Sequence, residues 1–199
     1  MKLKNAVLSA LVIAVGCAAK PPSEGEYVRR IAATRAAKDT AFKNQPEPVP
    51  EPLKSSLLPL SYYSIDPKYD VAAALMPSGD DTARPMVYSD GAVRNVRKVG
   101  TLKFLLDGQE LTLSAFVEVG APDHSLFVPF ADLTNRTDTY PSGRMMEVER
   151  TANGIYDLDF NDAYNPSCYY NPASYSCPLA PKENQLSVAV TAGERIKAH

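Results

Sequence analysis

Thr101-Leu102-Lys103-Phe104-Leu105-Leu106-Asp107-Gly108-Gln109-Glu110-Leu111-Thr112-Leu113-Ser114-Ala115-Phe116-Val117-Glu118-Val119 decides the fold class. Asp-Gly suits a two-residue type I′ turn, whose twist matches that of two antiparallel strands. With Asp107-Gly108 at the tip, Leu106 faces Gln109, Phe104 faces Leu111 and Leu102 faces Leu113. The apolar partners then share one face, while Lys103 meets Thr112 on the other. Turn chemistry and period-two patterning agree, which predicts a half-buried hairpin.

Working outward, Asp90-Gly91 lies between Met86-Val87-Tyr88 and Ala92-Val93 and predicts an earlier hairpin. Ser125–Phe130 reads as a further strand and Leu186–Ala192 as a last one. A three-residue loop ending in Gly154 pairs Val148 with Leu158, Met146 with Phe160 and Arg150 with Tyr156. A two-residue Asn153-Gly154 turn would instead mix polar and apolar residues on both faces. The pattern predicts a mainly β fold: an antiparallel meander, curled into a barrel or sandwich, with one N-terminal helix.

That helix is expected from Ser23-Glu24-Gly25-Glu26, a capping-box pattern, with Tyr27, Ile31, Thr34, Ala41 and Phe42 near one face. The run Gln45-Pro46-Glu47-Pro48-Val49-Pro50-Glu51-Pro52 should lie extended, as a spacer or a strap along the surface. Ahead of both, Lys2 and Lys4 precede an apolar stretch, Ala6 to Val15, and then Ala14-Val15-Gly16-Cys17. A charged start and an apolar run too short to span a bilayer predict a secretory signal over residues 1–16. Its end resembles a lipobox, which makes Cys17 the expected lipidation site and residues 17–52 a lipid-anchored helix and linker. Residues 53–199 are then the β-rich domain, in the cell envelope and facing periplasm or exterior.

Cysteine usage points to the same compartment. With Cys17 assigned to the anchor, Cys168 and Cys177 remain as an even pair in an oxidising environment. Closing so short a loop contributes roughly 2.7 kcal/mol in the chain-entropy view. The chain has 199 residues, with 21 Lys and Arg against 23 Asp and Glu. That balance offers no clustered positive field for nucleic acid. Histidine occurs only at His124 and His199, which argues against a multi-histidine metal site. There is no G-x-S-x-G elbow, H-E-x-x-H helix or phosphate loop.

Two groups of residues are candidates for function. The hairpin register brings Glu147 opposite Asp159 and Glu149 opposite Asp157. Four carboxylates on one patch suit a hard cation such as Ca2+, or an acid–base pair for hydrolysis using Asp159 with Glu147 or Glu183. A solvated face is the plainer alternative. The second group is the tyrosine-rich block Asp159-Phe160-Asn161-Asp162-Ala163-Tyr164-Asn165-Pro166-Ser167-Cys168-Tyr169-Tyr170-Asn171-Pro172, followed by Tyr175-Ser176-Cys177-Pro178 and Glu183-Asn184. A stapled loop of tyrosines can stack on a sugar or a peptide side chain. Asn161, Asn165, Glu183 and Asn184 would add polar contacts to Tyr164 and Tyr170, and Arg144 would serve a carboxylate or phosphate. The plainer reading makes these tyrosines core.

This block resembles a bacterial family catalogued as domain of unknown function sixteen-eighty-four, with its Asp-Phe-Asn run, Ala-Tyr-Asn-Pro, Cys-x-Tyr, Cys-Pro and Glu-Asn. Thr101-Leu102 through Glu110, Leu126–Phe130 and Thr139-Tyr140 through Gly143-Arg144 are similar too. The resemblance spans about Tyr27 to Glu194 and departs at Pro141-Ser142. It implies an envelope-associated domain, often borne by a lipoprotein, and carries no activity. The expectation is therefore an anchored module that binds an envelope ligand: a small molecule, glycan or peptide. A carboxylate hydrolase and a structural scaffold are the alternatives.

Overall fold

The central hairpin adopts the expected register. In the computed structural model, which describes residues 23–122 and 125–197, β4 (Val93–Leu106) pairs with β5 (Gln109–Glu118). Leu106 lies opposite Gln109, Phe104 opposite Leu111 and Leu102 opposite Leu113. Asp107 and Gly108 both hold positive φ, 49° and 77°, as a type I′ turn demands. The expected signal peptide, Cys17 and His124 lie outside the described residues.

β4 is long enough to serve two further partners. Val93–Arg97 pairs with β3 (Ala83–Val87) across the Asp90-Gly91 turn, and Gly100–Phe104 pairs with β2 (Asp70–Pro77). A register shift between Lys98 and Gly100 separates the two halves. A Cβ at Gly100 would collide with the Met76 carbonyl, so the bend needs glycine there. β6 (Ser125–Phe130) and β7 (Arg144–Glu149) extend the sheet on one side, and β8 (Tyr156–Asp159) joins β2 on the other. The order β7-β6-β5-β4-β2-β8 curls until Arg150 meets Tyr156, forming a nearly closed antiparallel barrel. Inward side chains, among them Leu102, Leu113, Val128, Phe130, Leu158 and Phe160, are fully buried. Each such side chain contributes roughly 1.5–3 kcal/mol over an exposed one.

Two expectations need correction. Arg150 pairs with Tyr156 and Gly154 takes φ 85° as expected, but the hairpin goes no further. Val148 and Met146 pair with Leu126 and Val128 of β6, while Leu158 pairs with Val71 of β2. Both strands already have partners, so they splay apart at the barrel seam. Leu186–Ala192 is not a strand either. Its alternation is real, since Leu186, Val190 and Ala192 are buried, but the barrel leaves no edge for it. The segment plugs the barrel end: Leu186 and Val188 bond to the backbone of Ala131 and Leu133, and side chains satisfy residues 190–192. The final strand is β9 (Glu194–Arg195), paired with β1 (Ser61–Tyr62).

The helix α1 (Glu24–Asn44) begins at the expected capping box, where Glu26 accepts from the Ser23 N–H at 2.8 Å. Its Tyr27 and Ile31 are buried. The proline run is a strap: Val49 is fully buried with Leu60 and Tyr170. It departs from an extended path at Glu51, where α2 (Glu51–Leu57) starts with proline in its first turn, a position that needs no N–H partner. Cys168 and Cys177 are disulfide-bonded, their Cα atoms 5.9 Å apart, and Cys168 sits in the one-turn helix α3 (Ser167–Tyr170).

Gly193 closes the plug at φ 76°, and a Cβ there would lie 2.6 Å from the Phe160 and Ala163 carbonyl oxygens. Gly193→Ala should therefore cost about 3 kcal/mol or more in urea unfolding. Gly79→Ala, with similar φ but open space around it, should cost only about 1 kcal/mol.

Candidate ligand-binding site

α1 carries Thr34, Arg35, Lys38 and Phe42 along one side, at spacings of three, four and eight residues that place them on adjacent turns. This side faces the segment that leaves β8, residues 161–170. Between them lies a cavity of about 410 Å3, walled by the rings of Phe42, Tyr62, Tyr164 and Tyr170, with Pro48 of the strap at its margin.

Glu194 anchors the arrangement. It is fully buried and accepts from Lys38 Nζ at 2.7 Å, from Asn165 Nδ2 at 3.0 Å and from the Tyr170 hydroxyl. The Lys38 ammonium also lies 5.1–5.9 Å from the ring centres of Tyr164, Phe42 and Tyr170, within cation–π range. Burial, reinforced by the Glu194 charge, raises the Tyr170 pKa far above that of a free phenol. Burial likewise raises those of Tyr62 and Tyr164. All three therefore stay protonated at neutral pH. The Tyr164 hydroxyl donates a hydrogen bond to Glu147 Oε1 at 3.0 Å.

Three buried polar atoms on cavity-lining residues have no partner among the described residues: Arg35 Nε, Tyr62 OH and Asn165 Oδ1. A buried polar group left unsatisfied costs about 1–3 kcal/mol, so their concentration around one cavity is itself informative.

The residues expected from sequence divide sharply. Asn161, Tyr164, Asn165 and Tyr170 all line the cavity. Arg144 does not. It is 1% exposed, and its guanidinium donates to the Val190, Ala192 and Glu194 carbonyls and to Asp132, so it is not available to an external anion. Asn184 is also spent internally, clamping Ser114 and Pro129, and Glu183 is exposed on the same turn. Lys38, Arg35, Tyr62 and Glu194 were missed. The Thr34-Lys38-Phe42 repeat of i, i+4, i+8 on an otherwise alanine-rich helix was the available signal.

Glu147, Glu149, Asp157 and Asp159 line a separate trough of about 330 Å3 at the barrel seam, with Arg30 and Asp162. Because β7 and β8 pair elsewhere, these carboxylates are not set face to face. Among the described residues no group of three or more histidine, cysteine or acidic side chains is placed to hold a metal ion. Asp159 accepts from Tyr27 at 2.8 Å, from the Asn161 N–H at 3.0 Å and from Arg30 at 3.2 Å. Across the β2–β8 ladder from Asp159 sits Asp70. Burial, a hydrogen bond with Asp157 and the charges of Asp159 and Asp157 push its carboxyl up to about 7.

Comparison with known proteins agrees with this architecture. A family model described as "Protein of unknown function (DUF1684)" matches residues 56–195. The solution NMR structure of an uncharacterized protein of Haloarcula marismortui superposes with a TM-score of 0.67. It is 35% identical in sequence, and the match covers 86% of this chain and 95% of that one. No curated protein matches the chain.

Two predictions follow from the charges. Asp70 binds a proton in the folded state between its ordinary 3.8 and about 7, where the unfolded chain has lost it. Its contribution to stability is thus whole below about pH 4 and declines as pH rises towards 7. Asp70→Asn should leave the urea midpoint near wild type at pH 4 and raise stability at pH 8 by about 1 kcal/mol, after allowance for solvent screening. Lys38→Met leaves Glu194 buried without its counter-charge and should cost about 2 kcal/mol or more at pH 7, read in the same unfolding experiment.

Proposed function

Since the chain belongs to the DUF1684 family of proteins of unknown function, we propose that it is a binding module which holds a small amphipathic molecule in the cavity beneath α1. The observation that carries this reading is the combination of four aromatic walls with three unpartnered polar atoms around about 410 Å3 of space. Ligand pockets generally fall within about 300–1,000 Å3, are lined mainly by apolar and aromatic groups, and orient their ligand with a few placed polar atoms. The rings supply flat apolar surface, and Asn165, Tyr62 and Arg35 supply orientation. The wall that faces α1 belongs to the matched family region, whereas α1 precedes residue 56.

The proposal extends to the setting in which the module works. Residues 1–16 read as an export signal and Cys17 as a lipid-bearing residue, six positions before α1 starts at its Ser23 cap. Six residues reach at most about 22 Å. Anchored in this way, the cavity samples ligands close to the surface of an envelope membrane.

A fragment panel titrated into 15N-labelled protein lacking residues 1–17 tests the binding reading. Amide shifts should cluster at residues 34–42 and 161–170. Thr34→Trp, which places an indole in the cavity from the exposed side of α1, should abolish them with the fold intact. Shifts confined to other surfaces, or undiminished in Thr34→Trp, would remove the cavity from consideration.

A further inference from the structure

The two cations in the cavity wall differ in one respect that bears on the ligand. The charge of Lys38 is met by Glu194 at 2.7 Å. Arg35 has no carboxylate within ion-pair distance among the described residues. Its Nη1 donates to the Tyr63 carbonyl at 2.8 Å and its Nη2 to the Asn161 carbonyl at 3.1 Å. Its Nε is buried without a partner, and the guanidinium lies 4.5 Å from the centre of the Tyr62 ring. Two neutral carbonyls and an aromatic face fix this group in place, and Asp162 and Asp159 act on its charge only from beyond ion-pair distance. Asp162 also lines the cavity, but it is drawn towards Arg30 Nη1 at 3.6 Å, and burial raises its pKa. The group is half-buried, and its unpartnered Nε–H gains from an anion that completes it.

Resting on the binding reading above, we infer that the ligand is a small aromatic or otherwise flat carboxylate. Its anionic group is read by Arg35, and its ring lies among Tyr62, Tyr164 and Tyr170. A planar guanidinium favours carboxylate geometry, and a charge-assisted hydrogen bond is roughly twice as strong as a neutral one. The free acceptor Asn165 Oδ1 suits a hydroxyl donor elsewhere on the same molecule. A carbohydrate offers the donor but no charge for Arg35. A simple inorganic anion offers the charge but leaves the rings uncovered.

The test compares 4-hydroxyphenylacetate with its neutral isostere 4-hydroxyphenylacetamide on the same 15N-labelled protein, following amide shifts and the Arg35 Nε–H resonance at pH 7. The carboxylate should bind about tenfold more tightly than the amide and shift the Nε–H signal. In Arg35→Met, which keeps the stem over Tyr62, that preference should fall below about twofold. Equal affinities in wild type, with both probes still shifting residues 34–42 and 161–170, would overturn the carboxylate assignment and leave the cavity reading standing. A tenfold preference that survives Arg35→Met in a folded variant would overturn the role of Arg35. If neither probe shifts those residues, the cavity reading falls and this inference with it. The wild-type comparison needs no variant, so a poorly folded Arg35→Met would not rescue a failed proposal.

Discussion

The guanidinium of Arg144, without access to solvent, holds the end of the chain in place. It donates to the carbonyls of Val190, Ala192 and Glu194 and to the carboxylate of Asp132, which is equally buried. Asp132 in turn accepts from the Val190 N–H at 3.3 Å and the Thr134 N–H at 2.7 Å. Over residues 190–192 the plug makes no backbone ladder among the described residues, and Arg144 stands in for one. Such a buried pair adds little net stability over an apolar replacement, but removing either member strands the other. Its value lies in specifying one path for residues 186–195.

That path determines everything at the cavity. Because residues 190–194 are pinned, Glu194 arrives beneath Asn165 and Tyr170 with its carboxylate directed at α1. Lys38 answers it, and Arg35 reaches the Tyr63 and Asn161 carbonyls one turn earlier. Arg30 and Tyr27 hold Asp159 one turn before that. The helix is thus attached by a row of polar contacts, with Ile31 as its buried apolar peg. A helix held mainly by polar groups leaves space where a well-packed apolar face would leave none, and the cavity is that space.

The same polar row meets the crowding of carboxylates at the acidic seam. Asp159 spends its oxygens on Tyr27, Arg30 and the Asn161 N–H. Burial and a hydrogen bond with Asp157 raise the Asp70 pKa, which eases the repulsion between neighbouring strands.

The sequence by itself determined what depends on near neighbours. Asp107-Gly108 and the alternation around it set the central hairpin, Asp90-Gly91 set the earlier one, and Ser23 with Glu26 set the start of α1. The spacing of Cys168 and Cys177 was enough for the disulfide. The tyrosine block stood out because it gathers chemistry-bearing residues within one short stretch, and Asn161, Tyr164, Asn165 and Tyr170 line the cavity together. Only the tertiary structure decided which strands accept which partners. Once β7 had taken β6 and β8 had taken β2, the expected pairing of Val148 with Leu158 was impossible, and the carboxylates it would have aligned fell apart. The same holds for Arg144 and Glu194, two charged residues that a linear reading places at a surface. Their burial is decided by groups 12 to 156 positions away in the chain, Asp132 for one and Lys38 for the other, and no local pattern records a partner at such a distance.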